Sequence, residues 1–417
     1  MARVLLVSVV YEPDIVSTAS IVAGLARGLQ TLGHEVSVLS SIPHYNPDSA
    51  TRADRKYRTG WLRPYRYSVE AGVQVARCYI PQRRQSTLSR ISGFSVLHIT
   101  AALAALRLFR RTQVVIVVSP PLTLAFLGFV LKVISGTRII YNAQELWPDV
   151  PRDLGVITSR GLLAALGAIE RIIYARSDAI TPIGEQFGEI IRLRGAPHGN
   201  VVVIPNFVDT AWIAPRPKVN PLSEEWHLTG RPVALYAGNF GLTQDFEMLI
   251  AVAKRKPHVD FVFVGAGAGA SALTRLHHDR ALPNVQVHPY VPKDRVADLY
   301  GLADVVLVPL RPGHDRTTTP SKIFSAMAAG KPVLACARAD TDLADVLRRS
   351  AAGLAVPPGD VEAFAGGLEA LLDRDQTEHW DLSTALETAG HHSADAAASE
   401  YDELIRRLLA SPRPALL

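Results

Sequence analysis

Val114-Val115-Ile116-Val117-Val118-Ser119-Pro120-Pro121-Leu122-Thr123-Leu124-Ala125-Phe126-Leu127-Gly128-Phe129-Val130-Leu131 is the stretch on which the fold class turns. It carries no charge and reaches the minimum length of a membrane span. Ser119-Pro120-Pro121 cuts it in two. Proline cannot donate to a helix ladder and clashes with the preceding turn. The reading is therefore a buried strand, Val114 to Val118, then a helix, Leu122 to Ile134, and no transmembrane helix is expected.

Outward from that unit, short β-branched runs alternate with longer helical stretches, the mark of parallel sheets with crossover helices. Upstream, strands are expected at Val4 to Val10, Glu35 to Ser40 and Val73 to Tyr79; downstream, at Arg138 to Asn142, Ala179 to Pro182 and Val201 to Ile204. A helix from Ala19 to Leu32 joins the first two strands and stops at Gly33-His34. Asn206 to Gly230 holds three prolines and two tryptophans with little periodicity, and reads as an interdomain connection. Strands resume at Pro232 to Ala237, Asp260 to Val264, Val285 to His288, Val305 to Pro309 and Val333 to Ala335. A last long helix runs from Ser393 to Leu409.

With 417 residues the chain suits two domains of roughly 200 residues each. The fold class is α/β, two doubly wound Rossmann-like domains. The expected boundaries are 1–206, 207–392, and a terminal segment 393–417. Hydrophobic residues make up 48% and charged residues 20%, a globular balance that excludes a disordered chain. The only cysteines, Cys78 and Cys336, are far apart, which excludes a disulfide framework and a cysteine metal site and fits a reducing, cytoplasmic compartment. The apolar run Val4 to Val10, closed by Tyr11-Glu12-Pro13-Asp14, is too short for a signal peptide.

The net charge of +5 is unevenly placed. Arg52, Arg55, Lys56, Arg58, Arg63, Arg66, Arg77, Arg83, Arg84 and Arg90 interleave with Trp61, Tyr65 and Tyr67. The apolar run Ile91 to Phe109 follows, then Arg110-Arg111. Basic residues beside an apolar helix suit an anionic membrane surface, here the inner face; a solvated loop before a core-facing helix is the competing reading. No recognition motif accompanies the charge, so nucleic acid is not expected.

In open parallel sheets, ligands sit beyond the carboxyl ends of the strands, and the chemical motifs of this chain follow strands. Ala237-Gly238-Asn239-Phe240-Gly241 opens a strand-to-helix turn where glycines let the backbone approach a phosphate; a tight turn without ligand reads equally. Gly265-Ala266-Gly267-Ala268-Gly269 resembles a dinucleotide fingerprint, but Ala270 stands at the third glycine position and the ribose-binding acid is missing. Arg316-Thr317-Thr318-Thr319-Pro320-Ser321-Lys322 starts a helix with hydroxyls, free N–H groups and one ammonium where a diphosphate could sit, and Gly330 and Pro332 stop it. Asp340-Thr341-Asp342 matches a short acidic metal motif, but its place before a helix favours capping, so no metal is expected. His314-Asp315-Arg316 could touch sugar or phosphate.

Together these segments resemble a GT-B glycosyltransferase of family 4, nearest the bacterial branch that adds N-acetylated amino sugars such as N-acetylfucosamine. The resemblance rests on Tyr11-x-Pro13-Asp14, Ser119-Pro120-Pro121, Glu145-Leu146-Trp147-Pro148-Asp149, Ile204-Pro205-Asn206-Phe207-Val208-Asp209, Tyr236-Ala237-Gly238-Asn239 and Pro320-Ser321-Lys322 through Pro332. It implies a retaining transfer from a nucleotide-diphosphate sugar without a metal or other cofactor, the donor lying between two facing domains. The donor contacts would be Gly238, Asn239, Gly241, Gly265, Thr319, Ser321, Lys322 and Ser325. Acceptor contacts would be Asp14, Ser17, Thr18, Ser119 and Glu145, and the catalytic set Glu145, Lys322 and Asp149. For Glu145 and Asp149, helix capping competes. The resemblance also implies that the final helix crosses back onto the N-terminal domain.

Three departures stand out. The family's paired glutamates fall at Thr317 and Ser325, neither acidic. The glycine-rich loop after the first strand is Ile15-Val16-Ser17-Thr18-Ala19, and the usual Asp-Leu-Trp-Pro begins with Glu145. The missing glutamates motivate a second reading, a GT-B pseudoenzyme or partner subunit. A third is a sugar-nucleotide epimerase or NAD-dependent dehydrogenase. The expected partners are a UDP-sugar donor, UDP-N-acetylhexosamine by the branch, and a lipid-linked or small-molecule acceptor.

Overall fold

In the computed structural model, the described residues are 1–44, 51, 54, 57–81, 87–153, 155, 157–210, 212–280, 282–316, 320–373 and 382–412, with backbone only at 87–92, 277, 279, 280 and 382. Contacts divide the chain into one unit of Met1–Pro205 with Ala394–Leu417, and another of Asn206–Ser393.

The first unit holds a seven-stranded sheet of order β3-β4-β2-β1-β5-β6-β7. Its strands are β1 (Arg3–Val7), β2 (Glu35–Ser41), β3 (Tyr65–Glu70), β4 (Val73–Cys78), β5 (Val114–Val118), β6 (Arg138–Ala143) and β7 (Ala179–Pro182). All neighbours are parallel except β3 and β4. Every residue of β5 is buried, as its unbroken β-branched run requires for a strand covered on both faces. Side chains alternate across the sheet. Leu5 and Val7 of β1, with Val115 and Val117 of β5, face the helices Thr87–Leu108, Ala125–Ser135 and Arg160–Arg176. Gly128 lets the middle helix settle on Val115 and Ile139, 3.4–3.5 Å from where a β-carbon would stand.

The helices Ser17–Thr31 and Ala394–Ala410 pack against each other. At their crossing a β-carbon on Gly28 would lie 2.5 Å from that of Ala398, so only glycine fits. Buried hydrogen bonds dock the terminal helix: Asn142 Nδ2 donates to the Tyr401 hydroxyl at 2.9 Å, and Thr181 Oγ1 lies 2.9 Å from the same oxygen. His34 Nε2 is 2.8 Å from Asp402 Oδ1.

The second unit is a six-stranded, all-parallel sheet of order β10-β9-β8-β11-β12-β13. Its strands are β8 (Val233–Ala237), β9 (Asp260–Val264), β10 (Val285–His288), β11 (Val305–Val308), β12 (Val333–Cys336) and β13 (Gly353–Val356). In each unit the winding reverses beside the first strand, between β1 and β5 and between β8 and β11, the switch point where α/β sheets bind ligands.

β13 is not among the expected strands, and two elements and one residue of the first unit also differ from expectation. Val201 to Ile204 is not a strand: it makes one isolated bridge to Ile180, with Val202 and Ile204 donating to the carbonyls of Ile180 and Pro182. Pro182 has no N–H to return, so the ladder stops. The basic stretch includes β3, an antiparallel edge strand joined to β4 by Ala71 and Gly72 at φ 48° and 82°, a two-residue hairpin turn with both φ positive. Arg77, grouped with the cations of that stretch, is buried and serves neither a membrane surface nor a solvated loop: its guanidinium binds both carboxylate oxygens of Glu70 and lies 5.0 Å from the Tyr11 ring centroid. Arg52, Arg55, Lys56, Arg83 and Arg84 lie outside the described residues. Among the described residues no helix is long and apolar enough to cross a membrane.

Candidate functional site

The described residues of the second unit expected to meet the donor follow β8, β9 and β11, three adjacent strands. After β8 the chain turns through Gly238 at φ 134°. After β9 it turns through Gly265 and Gly267 at φ 157° and 151°, conformations that disfavour any side chain. The two turns are stitched together: Gly238 N–H donates to Val264 O at 2.9 Å, Phe240 N–H to Ala266 O at 2.8 Å, and Gly269 N–H to Phe240 O at 2.7 Å. A β-carbon on Gly265 would stand 1.9 Å from Gly238 O, and one on Gly267 2.4 Å from Asn239 Oδ1. The Gly-x-Gly-x-Gly run thus exists to let one turn pack on the other. That explains its spacing without a dinucleotide.

Lys322 begins the helix Lys322–Ala328 that follows β11. Its Nζ lies 3.7 Å from the centroid of the buried Tyr236 ring and 3.5 Å from where a β-carbon on Gly238 would stand. Burial lowers its pKa to about 7, and no charged neighbour contributes. An ammonium whose desolvation goes uncompensated, beside a glycine turn, is a place for an anion to complete. Ser321 precedes it at the N-cap and makes no side-chain capping bond. Gly241 N–H donates to Asn239 O at 2.8 Å, and the Tyr236 hydroxyl to the same oxygen at 2.6 Å, which fixes the Asn239 turn. Ser325, one helical turn on, hydrogen-bonds to the Tyr300 phenol, whose burial pushes it up to about 12. Thr317 and Thr319 lie outside the described residues.

Ahead of Lys322 in the chain, Asp315 is buried and clamps Arg338, accepting from its Nε and Nη2 at 2.9 Å each and from its backbone N–H at 3.0 Å. Arg316 pairs with Asp340. Thr341 caps the helix Asp342–Arg349 through Ala344 N–H at 3.3 Å, so the Asp340-Thr341-Asp342 motif is occupied by capping and ion pairing. Among the described residues no cluster of three His, Cys, Asp or Glu could hold a metal.

In the first unit the residues expected to meet the acceptor follow β1, β5 and β6, again adjacent strands. Asp14 is buried in the turn after β1, its Oδ1 accepting from His44 N–H at 2.9 Å. Ser17 and Thr18 open the helix Ser17–Thr31, Ser17 exposed and Thr18 half-buried; the N-cap is Val16, which supplies no side-chain cap. Ser119 is fully buried after β5; its Oγ accepts from Gln144 N–H at 3.3 Å. Glu145 is half-buried after β6; desolvation raises its carboxyl, and the Trp147 side chain brings it part of the way back. A carboxyl raised by burial can hold or accept a proton nearer neutral pH. Asp149 sits differently. It is buried, binds Arg194, and lies 3.0 Å from Arg152 Nη1, while Arg194 also binds Glu170 at 3.0 Å and the Trp147 carbonyl at 3.0 Å. Its carboxylate holds the Glu145–Asp149 segment in shape.

Two family models match this chain, a glycosyl transferase 4-like domain over residues 18–206 and glycosyl transferases group 1 over residues 231–374. The chain belongs to the glycosyltransferases. This glycosyltransferase is 27% identical over 385 residues to WcaI of Escherichia coli (strain K12), named for a glycosyl transferase step in colanic acid biosynthesis, covering 89% of this chain and 92% of that protein. It is 29% identical over 249 residues, 57% of this chain and 56% of the relative, to a D-inositol 3-phosphate glycosyltransferase of Xylanimonas cellulosilytica. The fold is shared with sucrose-phosphate synthase from Thermosynechococcus elongatus, at TM-score 0.73 and 18% identity over 99% and 100% of the two chains. It is shared too with Anabaena HepE in complex with UDP and glucose, at 0.71 and 13% over 98% and 100%. Both sheets are those of a GT-B glycosyltransferase.

Three contacts in and around this glycosyltransferase's candidate site were not read from the sequence. Tyr236 is named only within the Tyr236-Ala237-Gly238-Asn239 motif, and nothing in that motif shows its ring lying under Lys322. Tyr300 comes from a distant segment that only folding sets against Ser325, and Asp315, named beside His314 and Arg316, gave no sign of its clamp on Arg338.

Proposed function

We propose that this glycosyltransferase moves an N-acetylhexosamine from a UDP-sugar to a lipid-linked or small-molecule acceptor hydroxyl, with retention of configuration and without a metal. One observation carries the donor side: the Lys322 ammonium, desolvated without a charged partner, lies beside the Gly238 turn at a switch point. A sugar-nucleotide diphosphate there restores the charge balance, and its leaving oxygens meet a donor already in place, the preorganised stabilisation that favours the transition state. One structural neighbour, Anabaena HepE, captured with UDP and glucose and with UDP-glucose, supports the uridine reading; the N-acetylated sugar rests on the family resemblance alone. Glu145, with its raised carboxyl, is assigned to the acceptor hydroxyl. The glycan relatives support a role in polysaccharide assembly, and an acceptor carried on a lipid would bring the enzyme to the inner membrane surface.

The test is UDP release from a panel of UDP-sugars in EDTA, with lipid extract or free sugars as acceptors, and the anomeric configuration of the product read by NMR. UDP-N-acetylglucosamine turnover giving a retained product supports the proposal. Release only from other nucleotide sugars, or an inverted product, contradicts it. Ser325 favours one alternative: its hydroxyl is bonded to Tyr300 where the family carries a ribose-binding glutamate, so a chain that binds UDP and never turns over would be a pseudoenzyme.

A further inference from the structure

The three helices covering one face of the first sheet, Thr87–Leu108, Ala125–Ser135 and Arg160–Arg176, are neighbours in that order. Their inner faces supply the core, yet their outer faces are apolar as well. Ile99 and Leu103 are exposed one turn apart on the first, Phe126, Val130 and Val133 on the second, and Leu162 on the third, with Ile99 57% and Val133 70% exposed. Scattered exposed leucines need no explanation, but a layer of three adjacent helices with apolar residues on the outer side does. Its charge is one-sided. From Ala71 to Gln144 the chain contains no aspartate or glutamate, and the sole acid of the third helix, Glu170, is 2% exposed and bonded to Tyr174 and Arg194. Arg107, Arg110 and Arg111 are exposed at the end of the first helix, and Arg160 and Arg171 on the third.

We propose that this three-helix face docks the protein onto an anionic lipid bilayer, the apolar residues entering the headgroup boundary and the arginines binding lipid phosphates. Apolar contact flanked by cations without acids is the chemistry of an anionic interface. A second copy of the chain fits worse: a two-fold interface sets the same face against itself, and arginines would meet arginines with no acid to pair. A lipid-borne acceptor gives the docking a purpose, but the measurement needs neither donor nor acceptor, so it can fail while the sugar-transfer reading stands.

The experiment is co-sedimentation of the full chain with phosphatidylethanolamine–phosphatidylglycerol vesicles, against phosphatidylcholine vesicles, at low and high salt. The wild type is expected to pellet with the anionic vesicles at low salt and be partly released at high salt. Arg107→Ser with Arg110→Ser and Arg111→Ser should weaken binding roughly fivefold per charge. Ile99→Glu with Val133→Glu, both solvent-exposed and so compatible with an unchanged melting temperature, should abolish it. A wild type that stays in the supernatant overturns the proposal, as does a glutamate variant that binds like the wild type. Self-association without lipid, lost in the glutamate variant, would assign the face to a second copy instead.

Discussion

Lys322 should take up a proton when the donor binds. Its free-state pKa is about 7, lowered by burial from an ordinary 10.5. At pH 8, about nine in ten free molecules therefore carry neutral Lys322, and at pH 6 about one in ten. A diphosphate beside Nζ favours the ammonium, so binding takes up about 0.9 proton at pH 8 and about 0.1 at pH 6. Affinity is correspondingly flat below pH 7 and falls up to tenfold per unit above it, until the bound-state pKa is reached. The assay is titration calorimetry of UDP-N-acetylglucosamine in two buffers of different ionisation enthalpy at each pH. A sugar nucleotide serves better than UDP because both of its phosphates are esterified and neither titrates near neutrality. Lys322→Arg keeps the charge and should lose the uptake. No uptake by the wild type at pH 8, or the same uptake in the arginine variant, would refute the reasoning. In the ligand-free protein, between about pH 7 and 10.5 the unfolded chain binds more protons at this site than the folded one, so stability rises with pH across that window. Lys322→Met should remove that contribution.

Other consequences are readily measured. Gly265→Ala sets a β-carbon 1.9 Å from the Gly238 carbonyl and should cost about 2–3 kcal/mol by denaturant unfolding, with donor affinity reduced as the paired turns separate. Glu145→Gln should lower turnover roughly 10²–10⁴-fold with UDP affinity unchanged, since Glu145 belongs to the other unit; equal losses of binding and turnover would remove it from the acceptor role. Tyr401→Phe leaves Asn142 and Thr181 short of a buried partner and should destabilise by about 1–3 kcal/mol, read by thermal melting.

The sheets were legible because strands such as β5 and β8 are unbroken apolar runs between helical stretches, and prolines and glycines mark their ends. Edge elements were less so. β3 reads as a basic aromatic loop, since Arg66 and Tyr67 show no core pattern and the Ala71-Gly72 turn lacks the usual Asn-Gly pair. β13 is a four-residue run whose decisive contact, Gly353 within 1.9 Å of Val333 O for any β-carbon, is long-range. At the site, Gly238 and Lys322 announced themselves through local turn chemistry. Their relation to Tyr236 depends on strand register and helix placement, which no local pattern encodes. Asp149 illustrates the converse: the motif that suggested chemistry also explains an ion pair with Arg194, and only the folded geometry shows the carboxylate engaged there.

The most direct test of the donor site is UDP binding by calorimetry in EDTA, wild type beside Lys322→Met, with GDP and NAD as controls. UDP binding without metal, weakened roughly ten- to hundredfold in the variant as one charge-assisted contact of about 1.5–3 kcal/mol is lost, is the predicted result. Binding of no nucleotide, binding of NAD in place of UDP, or equal UDP affinity in both proteins would contradict it.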